Sequence, residues 1–293
     1  MEDVRVAAVA VDSRPGEVEQ NLEKIGRWCA RAAAEGARLV LFQELSLTGF
    51  VPNHPVGDHA AWLREALQAA RRMAQPVDGP AVEGLTAIAK ANGLWVAAGL
   101  LEDAGNLLHN THVLAGPGGV VGTWRKLHVP MFEMPFYNGG AEARAAETPF
   151  GRVGVNICFD ALLPESTRLL AVDGVDIVLF PFAADPTPVT PQGWAAWAGP
   201  ALRARCVENG VFGLASNYTG RVECAGVTQE FPGGGMAIGP RGEVLADWTG
   251  EPGESAMLLA DFRRGDLTAA RAEPEYLYRF RRPELYGPLT RGN

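Results

Sequence analysis

Short apolar runs alternate with helix-period segments along nearly the whole chain, and this alternation restricts the fold more than any other feature. The runs VRVAAVAV (4–11), RLVLFQE (38–44) and LWVAAGLL (94–101) have the length and apolar continuity of buried strands. Between the first two, residues 17–35 place apolar side chains at three- and four-residue steps, which predicts an amphipathic helix. This order of strand and helix is typical of α/β proteins.

Two stretches depart from the strand–helix order. Residues 110–126 and 233–248 each consist of two alternating runs around a Gly/Pro turn, and each predicts a β-hairpin. Strand–helix units occupy the region between them, and further strands are predicted at 152–158, 175–182, 211–217 and 255–262. Hairpins among such units favour mixed sheets covered by helices on one face. We expect the remaining apolar face to be buried on a second sheet.

No low-complexity linker interrupts residues 1–293, so we expect a single domain. The segment 265–293 differs in composition from the rest of the chain. It contains EYLYRFRRPELYGPL and is aromatic, basic and interrupted by proline. We predict that this segment is a C-terminal tail that packs on another surface.

Charge and cysteine usage exclude several classes of function. The formal net charge is −8 and no run of Lys or Arg is present, so a nucleic-acid partner is not expected. The segment MEDVRVAAVAV begins with acidic residues and is too short to span a bilayer, which predicts a cytoplasmic protein without a membrane partner. The cysteines, at 29, 158, 206 and 224, form no CxxC pair, so we expect thiols and no metal site.

Four polar residues stand where predicted strands end. Glu44 closes an apolar run, Lys126 ends an alternating strand, Glu133 lies among aromatic residues, and Cys158 ends a buried strand ahead of a helix. Taken singly, each charge fits a solvated strand end, and the cysteine fits a small buried apolar residue. The position of Cys158 favours chemistry, because backbone N–H groups at such a turn stabilise a thiolate and a neighbouring oxyanion.

The segments FQELSLTGF, TWRKLHVP and GVNICFDALLPE resemble, in order and spacing, the three signature blocks of the nitrilase superfamily of carbon–nitrogen hydrolases. Further similar segments extend the resemblance over most of residues 4–262. It implies an α/β fold, an α-β-β-α four-layer sandwich with two mixed sheets face to face. It also implies that Glu44, Lys126 and Cys158 form a catalytic triad and that Glu133 is a second catalytic glutamate.

The resemblance implies hydrolysis of a non-peptide carbon–nitrogen bond through a cysteine thioester, with no metal or organic cofactor and with the N–H of Phe159 stabilising the oxyanion. Phe159-Asp160 replaces the Trp-Glu common in nitrilases, and residues 161–163 are Ala-Leu-Leu where carbamoylases of D-amino acids carry arginines. We therefore expect a small primary amide as substrate. The first alternative reaction is hydrolysis of an N-carbamoyl amine, and the second is hydrolysis of a nitrile. Two functions of other classes also stay open, an acyltransferase that uses an amine as acceptor and a non-catalytic binding protein.

Residues 181–197 are predicted to form part of the substrate-pocket rim. Trp194 and Trp197 either supply an apolar wall or pack the helix that begins there, and Asp185 is a candidate for binding a cationic end of the substrate. Asn217 follows a buried strand and is predicted to help hold the pocket.

The resemblance also implies a quaternary structure. Family members pair through the helix after the cysteine block and the helix near residues 193–209, with the C-terminal tail crossing to a neighbouring subunit. We therefore expect a homodimer or a higher homo-oligomer, with residues 265–293 in subunit contacts.

Overall fold

The structure is a computed structural model that describes residues 1–54 and 57–291. Its strands form two six-stranded sheets and one separate hairpin. The first sheet contains, in order of pairing, β14 (Ala256–Phe262), β1 (Val4–Ala10), β2 (Leu39–Phe42), β3 (Trp95–Asp103), β4 (Leu108–Gly116) and β5 (Gly119–Arg125). The second contains β13 (Val244–Asp247), β12 (Gly235–Ile238), β9 (Phe212–Asn217), β8 (Ile177–Phe182), β7 (Gly151–Val155) and β6 (Ala146–Thr148). The hairpin consists of β10 (Thr219–Cys224) and β11 (Val227–Pro232).

Both sheets are mixed. Strands β1, β2 and β3 are parallel to one another, as are β7, β8 and β9, whereas the other neighbours are antiparallel. Parallel neighbours need a crossover, which the helices supply. The helices are α1 (Val18–Ala34), α2 (His59–Met73), α3 (Pro80–Asn92), α4 (Pro164–Val172), α5 (Pro191–Asn209) and α6 (Arg264–Ala272).

The two sheets pack face to face with helices outside them. On β1, Val6 and Ala8 belong to the core between the sheets, together with Leu214 of β9. The alternate residues Ala7 and Val9 pack instead against the side chains of α1 and α3. Because successive side chains of a strand point to opposite faces, an entirely apolar strand is buried on both sides. The predicted α-β-β-α sandwich is confirmed.

Local signals fix the ends of α5, which borders the site described below. The hydroxyl of Thr190 accepts a hydrogen bond from the N–H of Gly193 at 3.0 Å, and Pro191 occupies the first turn. Gly210 ends the helix with a φ of +58°, a backbone conformation that favours glycine. The helix begins two residues earlier than the 193–209 predicted from the sequence.

The predicted hairpins are confirmed as β4–β5 and β12–β13. Two features were not predicted from the sequence: the strands β10 and β11, which pair within 219–232, and the short edge strand β6. The segment predicted as a tail continues α6 to Ala272 and then forms short 3-10 turns up to residue 290.

A third apolar cluster covers the segments that follow the carboxyl ends of β2, β8 and β9. It joins Phe50 and Trp62 to Phe231 of β11 and to Tyr218. The hairpin and α2 therefore stand over the edge where strand ends from both sheets meet. No helix in the described ranges, 1–54 and 57–291, has the length and apolarity to cross a membrane.

Candidate active site

Glu44 lies two residues beyond β2, and its carboxylate is completely buried. Oε1 accepts hydrogen bonds from the Lys126 ammonium at 2.9 Å and from the Asn110 amide at 2.6 Å. Oε2 has no partner among the described residues. A buried carboxylate oxygen without a donor is costly. It is also free to accept a proton, which is what a general base requires.

The backbone that carries Glu44 depends on a glycine of the neighbouring strand. Leu45 has a φ of +53°, and its backbone nitrogen lies directly over Gly99 of β3. A Cβ at position 99 would come within 2.5 Å of that nitrogen. The N–H of Leu47 donates to the Gly99 carbonyl at 2.7 Å. The absence of a side chain at Gly99 therefore allows the turn after Glu44 to cross the sheet.

Lys126 follows β5 directly, and its side chain is fully buried between two carboxylates. Besides its bond to Glu44, Nζ donates to Oε2 of Glu133 at 2.6 Å. Burial by itself lowers the pKa of Lys126, but the charges of Glu133 and Glu44 outweigh it and hold that pKa well above the usual lysine value. The side chain is therefore a permanent cation.

Glu133 is buried against Lys126, and its environment changes its ionisation. Burial raises the pKa of Glu133 to about 7, although the Lys126 charge opposes this; the nearby Glu44 charge raises it further. The stretch after Glu133 lies along the Lys126 backbone, because the N–H of Gly140 donates to the Lys126 carbonyl at 2.8 Å. The segment EMPFYNGG thus holds the glutamate against the lysine.

Cys158 begins a 3-10 helix, Cys158–Leu162, three residues beyond the carboxyl end of β7. Its φ of +50° is strained for a residue with a side chain. Burial raises the pKa of the Cys158 thiol well above its usual value, and the Glu44 charge adds to this while the Lys126 charge opposes it. The cysteine is therefore a thiol at neutral pH, surrounded by charges that act on it directly.

Asp160 connects the segment of Cys158 to the segment of Lys126. Its Oδ2 accepts from the N–H groups of Leu127 at 3.1 Å and Ile157 at 3.2 Å. Its Oδ1 accepts from the N–H of His128 at 2.8 Å and contacts the ring Nδ1 of the same residue at 2.9 Å. One buried carboxylate thus clamps the residues that follow the lysine to the residues that flank the cysteine.

A cleft of about 430 Å³ opens onto Cys158. Aromatic and proline side chains form much of its wall, among them Phe132, Phe159 and Trp197. Phe159 is 36% exposed and Trp197 is 44% exposed, so both rings are available to a ligand. Cys158 and Phe159 both line the cleft, and their N–H groups belong to the first turn of the helix, where such groups have no acceptor within the helix.

Trp194 does not line this cleft, and its assignment to substrate binding is corrected. The side chain is fully buried and meets Phe182 edge to face at a centroid distance of 5.6 Å. Trp197, one turn later on α5, takes the wall position instead. A helix turns about 100° per residue, so residues three apart occupy neighbouring but different positions on its surface.

Asp185 and Asn217 lie near one another but differ in role. Asp185 lines the cleft, whereas the Asn217 side chain is fully buried behind it. The Asn217 amide exchanges two hydrogen bonds with the backbone of Ala184, each 2.9 Å long, and donates a third to the Gly233 carbonyl at 2.9 Å. Asn217 therefore positions the cleft wall and does not face a ligand.

Asn110 and Asp160 were given no role from the sequence, but the structure places both in direct contact with the site. Asn110 lies opposite Lys126 across the β4–β5 hairpin, where the Lys126 N–H donates to the Asn110 carbonyl at 2.8 Å, and only this pairing could have indicated its contact with Glu44. For Asp160 the only signal was its place two residues after the cysteine. Among the described residues, no group of three or more His, Cys, Asp or Glu side chains is placed to hold a metal ion.

Comparisons with known proteins agree with this geometry. A family model described as carbon-nitrogen hydrolase matches residues 5–272. A nitrilase of Pyrococcus abyssi is 30% identical over 244 residues, which make up 83% of this chain and 84% of that protein. The deaminated glutathione amidase of Homo sapiens is 29% identical over 308 residues, or 97% of this chain and 84% of the relative.

A solved structure is similar over nearly the whole fold. It is a mutant of the amidase from Nesterenkonia sp. that shows covalent addition of the acetamide moiety of fluoroacetamide at the active site cysteine. The TM-score is 0.75 at 25% sequence identity, and the match covers 97% of this chain and 95% of that chain.

Proposed function

The chain belongs to the carbon–nitrogen hydrolase family of the nitrilase superfamily, whose members are thiol-dependent hydrolases, and we propose that it converts a small primary amide to a carboxylic acid and ammonia. The observation that carries this proposal is the buried contact of Glu44 and Glu133 with one lysine beside the thiol of Cys158. Such a cluster supplies a base, a cation and a nucleophile at one point.

In the first step the Cys158 sulfur attacks the amide carbon while the thiol proton passes to Glu44. The unpartnered Oε2 of Glu44 is the acceptor that supports this role. A carbon–sulfur bond forms, and the carbonyl π electrons move onto the amide oxygen. The ammonium of Lys126 and the N–H of Phe159 stabilise that oxyanion, each donor contributing roughly 3 kcal/mol by comparison with known oxyanion holes.

The tetrahedral adduct then breaks its carbon–nitrogen bond. The protonated Glu44 gives its proton to the departing nitrogen, which leaves as ammonia, and an acyl thioester stays on Cys158. Water attacks the thioester after losing a proton to the same carboxylate. The carbon–sulfur bond breaks, the thiol regains its proton and the carboxylic acid is released.

The charge balance of the cluster explains why the Cys158 thiol stays protonated until a substrate is bound. Burial and the two carboxylates keep Cys158 protonated in the resting enzyme, and Lys126 offsets only one negative charge. The developing negative charge appears first on sulfur and then on oxygen, next to the fixed ammonium. Stabilisation that exists only during the reaction lowers the barrier without tightening substrate binding.

The choice of an amide is supported by the chemistry of the cleft and of relatives. Relatives are named nitrilase and amidase, and the amidase of Nesterenkonia sp. carries an acetamide moiety on its cysteine in one solved structure. In this chain Phe159 and Asp160 follow the cysteine, and Asp160 is occupied by four contacts to protein atoms. Among the described residues that line the cleft, none is a lysine or an arginine that could bind an α-carboxylate, which favours an amide without one.

The test is ammonia release from a panel of short aliphatic amides, aromatic amides, amino-acid amides, N-carbamoyl compounds and nitriles. We expect turnover of amides by the wild type, none by Cys158→Ala, and unchanged turnover by the matched control Cys224→Ala, which alters a half-buried thiol of the hairpin. Intact mass spectrometry with hydroxylamine as a trap follows the thioester. Equal ammonia release by wild type and Cys158→Ala would refute the proposal.

We also propose that the protein is a homodimer or larger and is cytoplasmic. Exposed apolar side chains cluster on α4, at Leu169 and Val172, and on the C-terminal segment, at Leu277 and Phe280. Burial of such a patch against a second copy is favourable. Light scattering should give a multiple of 31.2 kDa; a monomer at that mass would contradict the dimer. The four cysteines are free thiols, which is typical of proteins in the reducing cytoplasm. Cell fractionation tests this location.

A further inference from the structure

We infer that the cleft selects amides whose far end carries a cation, and that the Asp185 carboxylate binds it. The inference rests on the proposed function, because the same cleft presents the amide to Cys158. It narrows the substrate class from small primary amides in general to short amides with a protonated amine.

The first observation is that Asp185 is held in place at the cleft. Its side chain is 19% exposed, and its Oδ2 accepts from the Gln229 amide at 3.2 Å. The ring Nε2 of His54 lies 3.4 Å from the same oxygen. Both side-chain contacts involve Oδ2, and the only further contact of the carboxylate among the described residues is with the backbone of Asp185 itself, so the group can still accept from a ligand. A carboxylate fixed by neighbours loses little side-chain freedom when it binds.

The second observation is the charge of the wall. Among the described residues that line the cleft, Asp185 is the sole carboxylate and none is lysine or arginine. Burial raises the pKa of Asp185, so its neighbours do not fully compensate its charge. The exposed rings of Phe159 and Trp197 add a surface that attracts a cation. An anionic substrate would meet repulsion here, whereas an ammonium would meet attraction.

The third observation sets the length of the substrate. The Ala183 backbone contacts the Cys158 thiol, and Asp185 follows two residues later along the same wall. Two residues of chain span at most about 7 Å. An ammonium bound to Asp185 therefore lies only a few bonds from a carbonyl carbon at the sulfur. A spacer of about three methylenes, as in 4-aminobutanamide, fits this separation.

The test compares two substrates of equal size. Pentanamide and 4-aminobutanamide differ only in a terminal methyl against a terminal ammonium, so the ratio of their kcat/KM values isolates the charge. We expect the ratio to favour 4-aminobutanamide at least tenfold in the wild type, as for a hydrogen-bonded ion pair in a partly desolvated site. Succinamic acid, which places a carboxylate at the same end, should be the poorest substrate of the three.

Three variants assign the effect to the carboxylate. Asp185→Asn should lower the ratio about tenfold, whereas Asp247→Asn, which alters an exposed carboxylate on β13 outside the cleft, should leave it unchanged. The ratio should also survive His54→Gln, which removes the titratable ring but keeps a hydrogen-bond donor beside Asp185. Circular dichroism and a thermal melt check that each variant is folded.

The outcomes separate this inference from the proposed function. Turnover of both amides at equal kcat/KM, or a ratio unaffected by Asp185→Asn, overturns the inference and leaves the amidase proposal standing. Loss of the ratio in His54→Gln overturns it as well, because the imidazole would then be the determinant. If neither of these two amides is hydrolysed while other amides are turned over, the inference is also overturned and the amidase proposal stands. Failure with every amide of the panel contradicts the proposed function itself.

Discussion

Replacement of Asp160 by asparagine tests whether this carboxylate sets the position of the lysine relative to the cysteine. In the structure each oxygen of Asp160 has two contacts, Oδ2 with the N–H groups of Leu127 and Ile157 and Oδ1 with the N–H and the ring of His128. Asparagine keeps one acceptor oxygen and replaces the other with an NH2 group. With the NH2 group at the Oδ2 position, the N–H groups of Leu127 and Ile157 both lose their acceptor and face another donor. In the other orientation the N–H of His128 loses its acceptor, and so does the ring Nδ1 when it carries a proton.

The size of the effect follows from those lost contacts. A buried donor left without an acceptor costs about 1–3 kcal/mol, so two of them should reduce the free energy of unfolding by about 3 kcal/mol. Relief of this conflict moves the segment of Lys126 away from the segment of Cys158. A displacement of about 1 Å at reacting groups costs on the order of 100-fold in rate. We therefore expect kcat of Asp160→Asn to fall about 100-fold with little change in KM.

The assay must separate a displaced lysine from a general loss of stability. Asp176→Asn is the matched control, because Asp176 also accepts from a backbone N–H, that of Arg152 at 3.1 Å, and from the Arg271 guanidinium at 2.8 Å. These contacts lie outside the residues that line the cleft. Denaturant unfolding should show a loss of stability in both variants, whereas amide hydrolysis per folded molecule should fall only in Asp160→Asn.

Histidine titration gives a second readout. The hydrogen bond to Asp160 raises the pKa of His128 above its ordinary value. A base whose folded pKa is raised stabilises the fold fully at pH values below its unfolded pKa of about 6.5, and this stabilisation is lost as the pH rises through the folded pKa. Asp160→Asn should therefore lower the His128 pKa in an NMR titration and destabilise the fold more at acid pH. Full kcat in the folded variant, or an equal loss in Asp176→Asn, would refute the positioning role.

Three further predictions concern the same cluster. Because burial raises the pKa of Glu133 to about 7, kcat/KM should rise with pH through about 7 as this carboxylate ionises against Lys126. Glu133→Gln should remove that limb of the pH–rate profile, and an unchanged limb would contradict the assignment. Lys126→Gln should lower kcat by about 100- to 1,000-fold, as for loss of one oxyanion donor; stopped-flow ammonia release checks this, and a loss below tenfold would count against the oxyanion role. Gly99→Ala should shift Leu45 and with it Glu44, since the new Cβ meets that backbone nitrogen at 2.5 Å, so both thermal stability and kcat should fall; a variant with wild-type values of both would show that the turn tolerates a side chain.

The positions of the reacting residues could be predicted from the sequence, because each residue follows a strand with a clear local pattern. Glu44 follows four buried apolar residues of β2, and Cys158 follows β7 by a few residues, so hydropathy alone marks both strand ends. The resemblance to known blocks then supplied the relation between them. What periodicity predicts is a local property of the chain, and these features are local.

The features that the sequence left out depend on contacts between distant segments. Gln229 reaches Asp185 only because the β10–β11 hairpin folds back over the cleft, and residues 219–232 lack the strict alternation that predicts strands. Trp194 and Trp197 are equally aromatic and belong to one helix, so only the direction in which α5 packs on the second sheet decides which ring is buried. Such choices are made by tertiary packing, and no pattern within the segment contains them.

The location of the cluster at the boundary of two sheets explains why so much of it is buried. Glu44 and Lys126 follow strands of the first sheet, whereas Cys158 follows a strand of the second. Their relative position is therefore fixed by the core between the sheets and by Asp160, which bridges the two segments. A packed core resists small displacements, so the sandwich can hold two carboxylates and an ammonium in contact, at a cost in desolvation, where a flexible loop could not. The same rigidity leaves the substrate-facing wall, formed by α5, the β10–β11 hairpin and the segment after β8, as the part of the molecule that can vary without disturbing the chemistry.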